Sequence, residues 1–250
     1  MYDFESRTWD STNQLNNMTS KLFCQSDKLR ALYQSLALVA QALANPNRLR
    51  LLEHIAQGER SVEPLAVITG LSVANASQHL QALRQAGLVV ARKKGQRVFY
   101  SIAGPEVIQL YTALQRAGEA QVAEVELLVR DFIGHRDKLE PIRAKELLDR
   151  VQKGLVTVLD VRPADEFSAG HLPGAINIPF DQLERGLARL PKRREVVAYC
   201  RGPYCLMSFE AVLKLRQRGW KARRLERGFP EWKAAGLPVE VSSAAHSLRE

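Results

Sequence analysis

The spacing of the apolar residues changes near residue 134, and this change constrains the fold more than any other feature. Before it, apolar residues recur every three or four positions, which is typical of amphipathic helices. After it, the predicted strands 155–161, 195–199 and 222–225 alternate with helical stretches. Strands of that kind between helices indicate a parallel α/β sheet. The 250-residue chain is therefore predicted to have two domains, the first mainly α and the second α/β.

We divide the chain into four segments. Residues 1–26, rich in Ser, Thr, Asn and Gln, are predicted to be a flexible tail. Residues 27–133 form the first domain, the polar residues 134–137 the linker, and residues 138–245 the second domain.

Cysteine content and hydropathy indicate the compartment. Three cysteines cannot all pair, and nothing around them suggests a secreted disulfide framework, so a reducing compartment is expected. The sequence lacks an apolar run of the ~18 residues that a membrane helix needs. Its start carries acids and amides where a signal peptide is basic and apolar. We expect a cytoplasmic protein with no membrane association.

The first domain is predicted to contain short helices, a hairpin and one long helix. The turns at Pro46, Gly58, Gly70 and Gly87 separate the helices. A lone helix that could reach ~40 Å usually packs on a partner, so the long helix predicts a homodimer. The predicted elements are helices 27–45, 46–58, 62–69, 72–86 and 106–133 and strands 88–92 and 97–102.

Local charge indicates a surface that binds double-stranded DNA. The chain carries a net charge of +9, and residues 64–105 contain five basic and no acidic side chains. Polar side chains on a helix can hydrogen-bond base edges in the major groove, and basic side chains on a hairpin contact phosphates. The predicted DNA-binding residues are Ser72, Asn75, Ser77, Gln78, His79 and Gln81 on the helix, and Arg92, Lys93, Lys94 and Arg97 on the hairpin.

This domain resembles the ArsR family of bacterial metal- and redox-responsive repressors. The resemblance is carried by LANPNRLRLLEHIAQGE, LSVANASQHLQALRQAGLV and RKKGQRVFYSI, in that order. It implies a winged helix-turn-helix that binds an operator as a dimer. Family members commonly bind metal through third-helix cysteines, but the matching residues 61–66 contain none, and Asp131 and His135 do not fit the alternative spacing. We therefore predict no metal and no cofactor.

In the second domain, Cys200 lies between an apolar strand and a helix. Backbone N–H groups and the positive helix end at such a position stabilise a thiolate, and Arg201 adds a positive charge. The predicted catalytic residues are Cys200, Arg201 and Cys205, and the predicted loop-supporting residues are Asp160, Arg162 and Gly202.

This domain resembles rhodaneses, which transfer sulfane sulfur through a cysteine persulfide, here on Cys200. The resemblance is carried by DVRPADEF, SAGHLPGAINIP and RGFPEW. Related phosphatases place an arginine after Cys and five residues, where this chain has Leu206. Cys205 either resolves a persulfide into a disulfide or is a small buried residue, and Cys24 is expected to be incidental.

These predictions define a DNA-binding transcriptional regulator in which Cys200 senses reactive sulfur or thiol redox state. The family resemblance implies that it is a repressor. The expected partners are operator DNA, a second copy of the chain, and a small sulfur donor such as thiosulfate, polysulfide or a low-molecular-weight persulfide. Two alternatives stay open: a sulfurtransferase enzyme with an accessory DNA-binding domain, and an arsenic- or oxyanion-responsive regulator.

Overall fold

The computed structural model describes the backbone of residues 10–133 and 141–242, and the side chains of residues 26–131 and 141–242. It divides into two units, residues 1–46 and residues 47–250. The first unit contains helix α1 (Asp10–Leu43). The second contains the helix-turn-helix elements and the α/β elements.

Helix α1 begins well before the predicted start at Asp27. Residues 10–26, expected to be a flexible tail, are helical. They contain neither glycine nor proline, so nothing in the segment ends the helix, and a polar sequence does not by itself prevent helical backbone. Residues 1–9 of the expected tail and the expected linker 134–137 lie outside the described residues.

The helix-turn-helix part combines short helices with a three-stranded antiparallel sheet in the order β1-β3-β2. Its core includes Leu51, Leu65, Leu80 and Leu83, all fully buried. Strand β1 was not predicted, because its two residues are too few to show a pattern. This is the predicted winged helix-turn-helix architecture. Its elements are α2 (Pro46–Ile55), β1 (Arg60–Ser61), α3 (Val62–Thr69), α4 (Val73–Gln85), β2 (Val89–Lys94) and β3 (Arg97–Ile102).

The predicted long helix 106–133 is two helices, α5 (Pro105–Gln121) and α6 (Ala123–Ile133). The prediction of one continuous helix was therefore wrong. The break is at Val122, whose backbone is extended, with φ −114° and ψ 103°. A β-branched valine adopts extended backbone readily, whereas the apolar spacing continues through the break and gives no sign of it.

The second domain is built on a four-stranded parallel sheet in the order β5-β4-β6-β7. Buried clusters cover both faces, one with α10 and the other with α7 and α11. The register pairs Asp160 with Tyr199, so β4 and β6 end side by side. The elements are α7 (Ala144–Gln152), β4 (Val156–Asp160), α8 (Ala164–Ala169), β5 (Ile176–Asn177), α9 (Leu183–Gly186), β6 (Glu195–Tyr199), α10 (Leu206–Gln217), β7 (Ala222–Arg224) and α11 (Phe229–Ala234).

This arrangement is the predicted rhodanese-like α/β domain, with one short parallel strand, β5, beyond those predicted. Among the described residues, no helix combines the length and apolar character needed to cross a bilayer.

Candidate functional site

Helix α4 exposes one polar face and buries its opposite, apolar face. Ser72 caps its start by accepting a hydrogen bond from the Asn75 backbone N–H at 3.2 Å. Ala76, Leu80 and Leu83 are fully buried on the opposite side. Of the predicted DNA-binding residues on this helix, Ser72, Asn75, Gln78 and Gln81 are exposed, whereas Ser77 and His79 are half-buried. The three exposed amides recur every three residues and so share one face.

The β2–β3 hairpin carries the predicted basic residues at its tip. Lys94 pairs with Arg97 across the strands, and Gly95 turns the chain with φ +60°. Arg92, which is predicted to contact phosphates, also has a protein partner. It donates two hydrogen bonds to the carboxylate of Glu59, at 3.1 and 2.5 Å. The charge pattern of residues 64–105, which contain no acidic side chain, did not reveal this contact, because Glu59 lies before them.

Cys200 lies directly after β6 and is 2% exposed. It is disulfide-bonded to Cys205, and the two Cα atoms are 6.3 Å apart, within the range of a disulfide. Cys205 is the residue that precedes helix α10. The six-residue loop 200–205 therefore joins two cysteines at the carboxyl end of the sheet.

Gly228 supports this loop from the other side. A Cβ atom built on Gly228 would lie 2.4 Å from the carbonyl carbon of Arg201 and 2.5 Å from the nitrogen of Gly202. Only glycine allows the backbone to approach the loop so closely. The Phe229 backbone N–H also donates to the Cys200 carbonyl at 3.1 Å. Gly202, predicted to support the loop, thus lies where the loop backbone packs closely against the backbone of Gly228.

A buried ion pair fixes the strand end beneath the loop. The side chains of Asp160 and Arg162 are both fully buried and approach to 2.6 Å. Asp160 also accepts a hydrogen bond from the hydroxyl of Tyr199. Burial and the neighbouring Asp160 charge raise the pKa of Tyr199 well above its ordinary value. Because Asp160 accepts hydrogen bonds from both Arg162 and the Tyr199 hydroxyl, this network fits the predicted supporting role of Asp160 and Arg162.

The guanidinium of Arg201 is hydrogen-bonded to Glu166. Its Nε donates to both Glu166 oxygens at 3.0 Å, and its Nη2 lies 2.8 Å from Oε1. The positive charge expected beside Cys200 is thus paired with a buried carboxylate. The charge pattern of the sequence did not reveal this pairing, because the two residues are 35 positions apart.

The helix-turn-helix part also contacts the cysteine loop. The Gln57 side chain donates to the Arg201 carbonyl at 3.2 Å, and the Tyr204 hydroxyl donates to Glu119 on α5. Burial raises the pKa of Glu53 despite the nearby charge of Arg201. Burial, together with Arg201, lowers the pKa of His54 to about 4. Sequence patterns gave no signal for these contacts.

Metal coordination has no evident site in the part of the chain that the structure describes. Residues 26–131 and 141–242 contain no group of three or more His, Cys, Asp or Glu side chains that could hold an ion.

Comparisons with known proteins agree with both halves of this description. A helix-turn-helix domain model matches residues 43–92, and a rhodanese-like domain model matches residues 143–235. The HTH-type transcriptional regulator Rv0324 of Mycobacterium tuberculosis is 46% identical over 216 residues, covering 86% of this chain and 95% of the relative.

Two further matches each cover one domain. A sulfurtransferase of Allochromatium vinosum is 32% identical over 85 residues, covering 34% of this chain and 78% of that protein. The solution structure of a homodimeric winged helix-turn-helix DNA-binding domain from Mycobacterium bovis is 44% identical, covers 38% of this chain and 89% of that domain, and has a TM-score of 0.37.

Fold and relatives together define a DNA-binding transcriptional regulator that carries a rhodanese-like domain. The chain belongs to the family of HTH-type transcriptional regulators with an ArsR-type winged helix-turn-helix, in the form that also contains a C-terminal rhodanese-like domain. The predicted family resemblances are confirmed.

Proposed function

We propose that this regulator binds operator DNA as a homodimer and changes its operator affinity when Cys200 accepts reactive sulfur. One observation carries the proposal: the loop that joins Cys200 to Cys205 also contacts the DNA-binding part through Gln57. A chemical change at the cysteines therefore acts on a loop that touches the helix-turn-helix.

The sulfur chemistry has two steps. The Cys200 thiolate attacks a terminal sulfur of a polysulfide, and a polysulfide one sulfur shorter leaves, so that Cys200 becomes a persulfide. The Cys205 thiolate then attacks the Cys200 sulfur, forming the disulfide and releasing hydrosulfide. The Cα separation of 6.3 Å permits this second step. An external dithiol restores both thiols by supplying two electrons and two protons.

The β2–β3 hairpin, which forms the wing of the helix-turn-helix, is proposed to contact the phosphate backbone. Replacing both Lys93 and Lys94 with alanine should weaken binding to all duplex sequences and make the log–log dependence of affinity on salt shallower by about two. Titrations at several salt concentrations measure this change. Lys153→Ala, an exposed lysine in the second domain, is the matched control. An unchanged salt dependence in the double variant would show that the wing does not contact phosphates.

The α4 face is proposed to contact bases. Gln78→Ala should reduce discrimination at one base pair by ~1–3 kcal/mol, because a glutamine amide can make two hydrogen bonds to adenine. Competition against duplexes that differ at single positions measures the effect. A uniform loss across all duplexes would instead indicate a phosphate contact.

The dimer interface is proposed to include α5 and α6, whose apolar residues Leu110, Leu114 and Leu128 are 41%, 42% and 61% exposed. A Leu114→Glu substitution should produce monomers in sedimentation velocity, because it would bury a charge between the subunits. Leu155→Glu is the control, since Leu155 is 53% exposed in the second domain. If Leu114→Glu stays dimeric, the interface lies elsewhere.

Operator binding before and after treatment with polysulfide tests the proposal as a whole. The duplex is one selected by the reduced protein from a random-sequence pool, and thiosulfate and arsenite serve as parallel treatments. A change with polysulfide supports sulfur sensing, whereas a change with arsenite alone supports the oxyanion-responsive alternative. Sulfur loading without any change in DNA affinity would support the sulfurtransferase alternative, which the similarity of the second domain to a sulfurtransferase favours.

A further inference from the structure

Glu166 is a buried carboxylate shared by two arginines. The residue is 2% exposed. Its Oε1 atom lies 2.8 Å from Nη2 of Arg201 and 2.9 Å from Nη2 of Arg60. Both arginine side chains are themselves mostly buried, at 20% and 15% exposure. Because charged groups in such surroundings depend on their partners, neither arginine can move without leaving the carboxylate incompletely paired.

The two arginines belong to different functional parts. Arg201 directly follows Cys200 in the cysteine loop. Arg60 begins β1 and pairs with Tyr100 on β3, the strand that forms the wing with β2. One carboxylate thus connects the residue next to the sulfur-accepting cysteine to the sheet that carries the wing.

Gln57 holds the same loop residue by its backbone. The Gln57 side chain is buried; its Nε2 donates to the carbonyls of Arg201 and Glu53, both at 3.2 Å. Its Oε1 accepts from Nη1 of Arg162 at 3.3 Å. Arg201 is therefore fixed at its carbonyl by Gln57 and at its guanidinium by Glu166.

We propose that Glu166 is a positioning residue that couples the oxidation state of the Cys200–Cys205 pair to the wing sheet. The disulfide ties the two ends of the loop together, and the dithiol releases them, so Arg201 has different freedom in the two states. Through Glu166, that difference reaches Arg60 and β1. This inference rests on the proposed function, because it specifies how the cysteine loop regulates DNA binding.

Coupling of this kind acts in both directions. Reduced and disulfide forms, each free or bound to DNA, make a closed thermodynamic cycle. If disulfide formation changes operator affinity by some factor, operator DNA must change the thiol–disulfide equilibrium by the same factor. A tenfold factor corresponds to about 30 mV in the two-electron potential. Operator DNA is therefore expected to alter how readily Cys200 and Cys205 are reduced.

The test uses the whole 250-residue chain in a Cys24→Ser background, so that only the Cys200–Cys205 pair exchanges with the redox buffer. One measurement is the dissociation constant of the selected duplex for the dithiothreitol-reduced and the diamide-oxidised protein. The other is the disulfide fraction across mixtures of reduced and oxidised dithiothreitol, with and without saturating duplex. In that exchange, dithiothreitol becomes its cyclic disulfide as the protein gains two thiols. The ratio of the two dissociation constants should equal the ratio of the two thiol–disulfide equilibrium constants. We expect this ratio to be about 5–150.

Three variants locate the coupling. Glu166→Gln and Arg60→Gln should each reduce the ratio of dissociation constants and the ratio of thiol–disulfide equilibrium constants to below about twofold. Asp165→Asn is the matched control, because Asp165 also lies 3.0 Å from Arg60 but its side chain is 62% exposed. It should retain the wild-type ratios. Arg60→Gln keeps the test decisive if Glu166→Gln does not fold.

The outcomes separate this inference from the proposed function. A wild-type DNA affinity that is identical in both oxidation states would overturn the proposed function. A wild-type response that persists in Glu166→Gln or Arg60→Gln would overturn the coupling through Glu166 alone. Loss of the response in Asp165→Asn to the same degree would also overturn it, since the buried carboxylate would then have no special part.

Discussion

Cys200→Ser should abolish sulfur loading. After brief treatment with polysulfide, wild-type protein should contain a species heavier by one sulfur atom, followed by the Cys200–Cys205 disulfide. The serine variant should show neither product, because its alcohol is a far weaker nucleophile than a thiolate and cannot form a persulfide. Mass spectrometry of the intact protein and of its peptides measures both species. The same variant should bind operator DNA with one affinity, whatever sulfur donor is present.

Cys205→Ser is the informative companion variant. It keeps the thiolate that accepts sulfur and removes the one that resolves the persulfide, so the mass gain of one sulfur should persist longer than in wild type. Cys24→Ser should behave like wild type. If Cys200→Ser still gains sulfur, Cys200 is not the accepting residue, and Cys24 becomes the next candidate.

The sequence predicted those parts of the fold in which local signals agree. Strand β6 was predicted with its observed bounds, because its apolar run ends at Cys200. The hairpin was predicted from two β-rich runs around Gly95, and α4 from its Ser72 cap and the following Gly87. In each case the residues that form the element also mark its ends.

The contacts that organise the candidate site could not be predicted in this way. Gln57 is separated from Arg201 by 144 positions, and Arg60 from Glu166 by 106. Hydrophobic spacing identifies buried faces, but it does not tell which polar side chain of one domain meets which backbone group of the other. The ion pair of Arg92 with Glu59 was not predicted either, because hydrophobic spacing does not show which charged side chains pair. This ion pair competes with the predicted phosphate contact of Arg92.

Breaking the buried pair of Asp160 and Arg162 should cost more stability than breaking an exposed ion pair. Asp160→Asn should lower the free energy of unfolding of the second domain by about 3–5 kcal/mol, because it leaves the guanidinium of Arg162 buried without a compensating charge. Both side chains are fully buried. Urea denaturation followed by the fluorescence of Trp220 and Trp232, both buried in this domain, measures the change.

Asp149→Asn provides the same chemical change at an exposed site. Asp149 lies 2.8 Å from Lys153, but the two side chains are 56% and 61% exposed. Solvent screens such a pair, so the loss should be about 0.3–0.5 kcal/mol. The contrast compares a buried carboxylate that accepts several hydrogen bonds with an exposed one that makes a single ion pair at a similar distance. Equal losses would mean that water or a rearranged partner compensates Arg162, and the strand ends beneath Cys200 would then owe their position to packing around Phe229 and Tyr199 instead of to this ion pair.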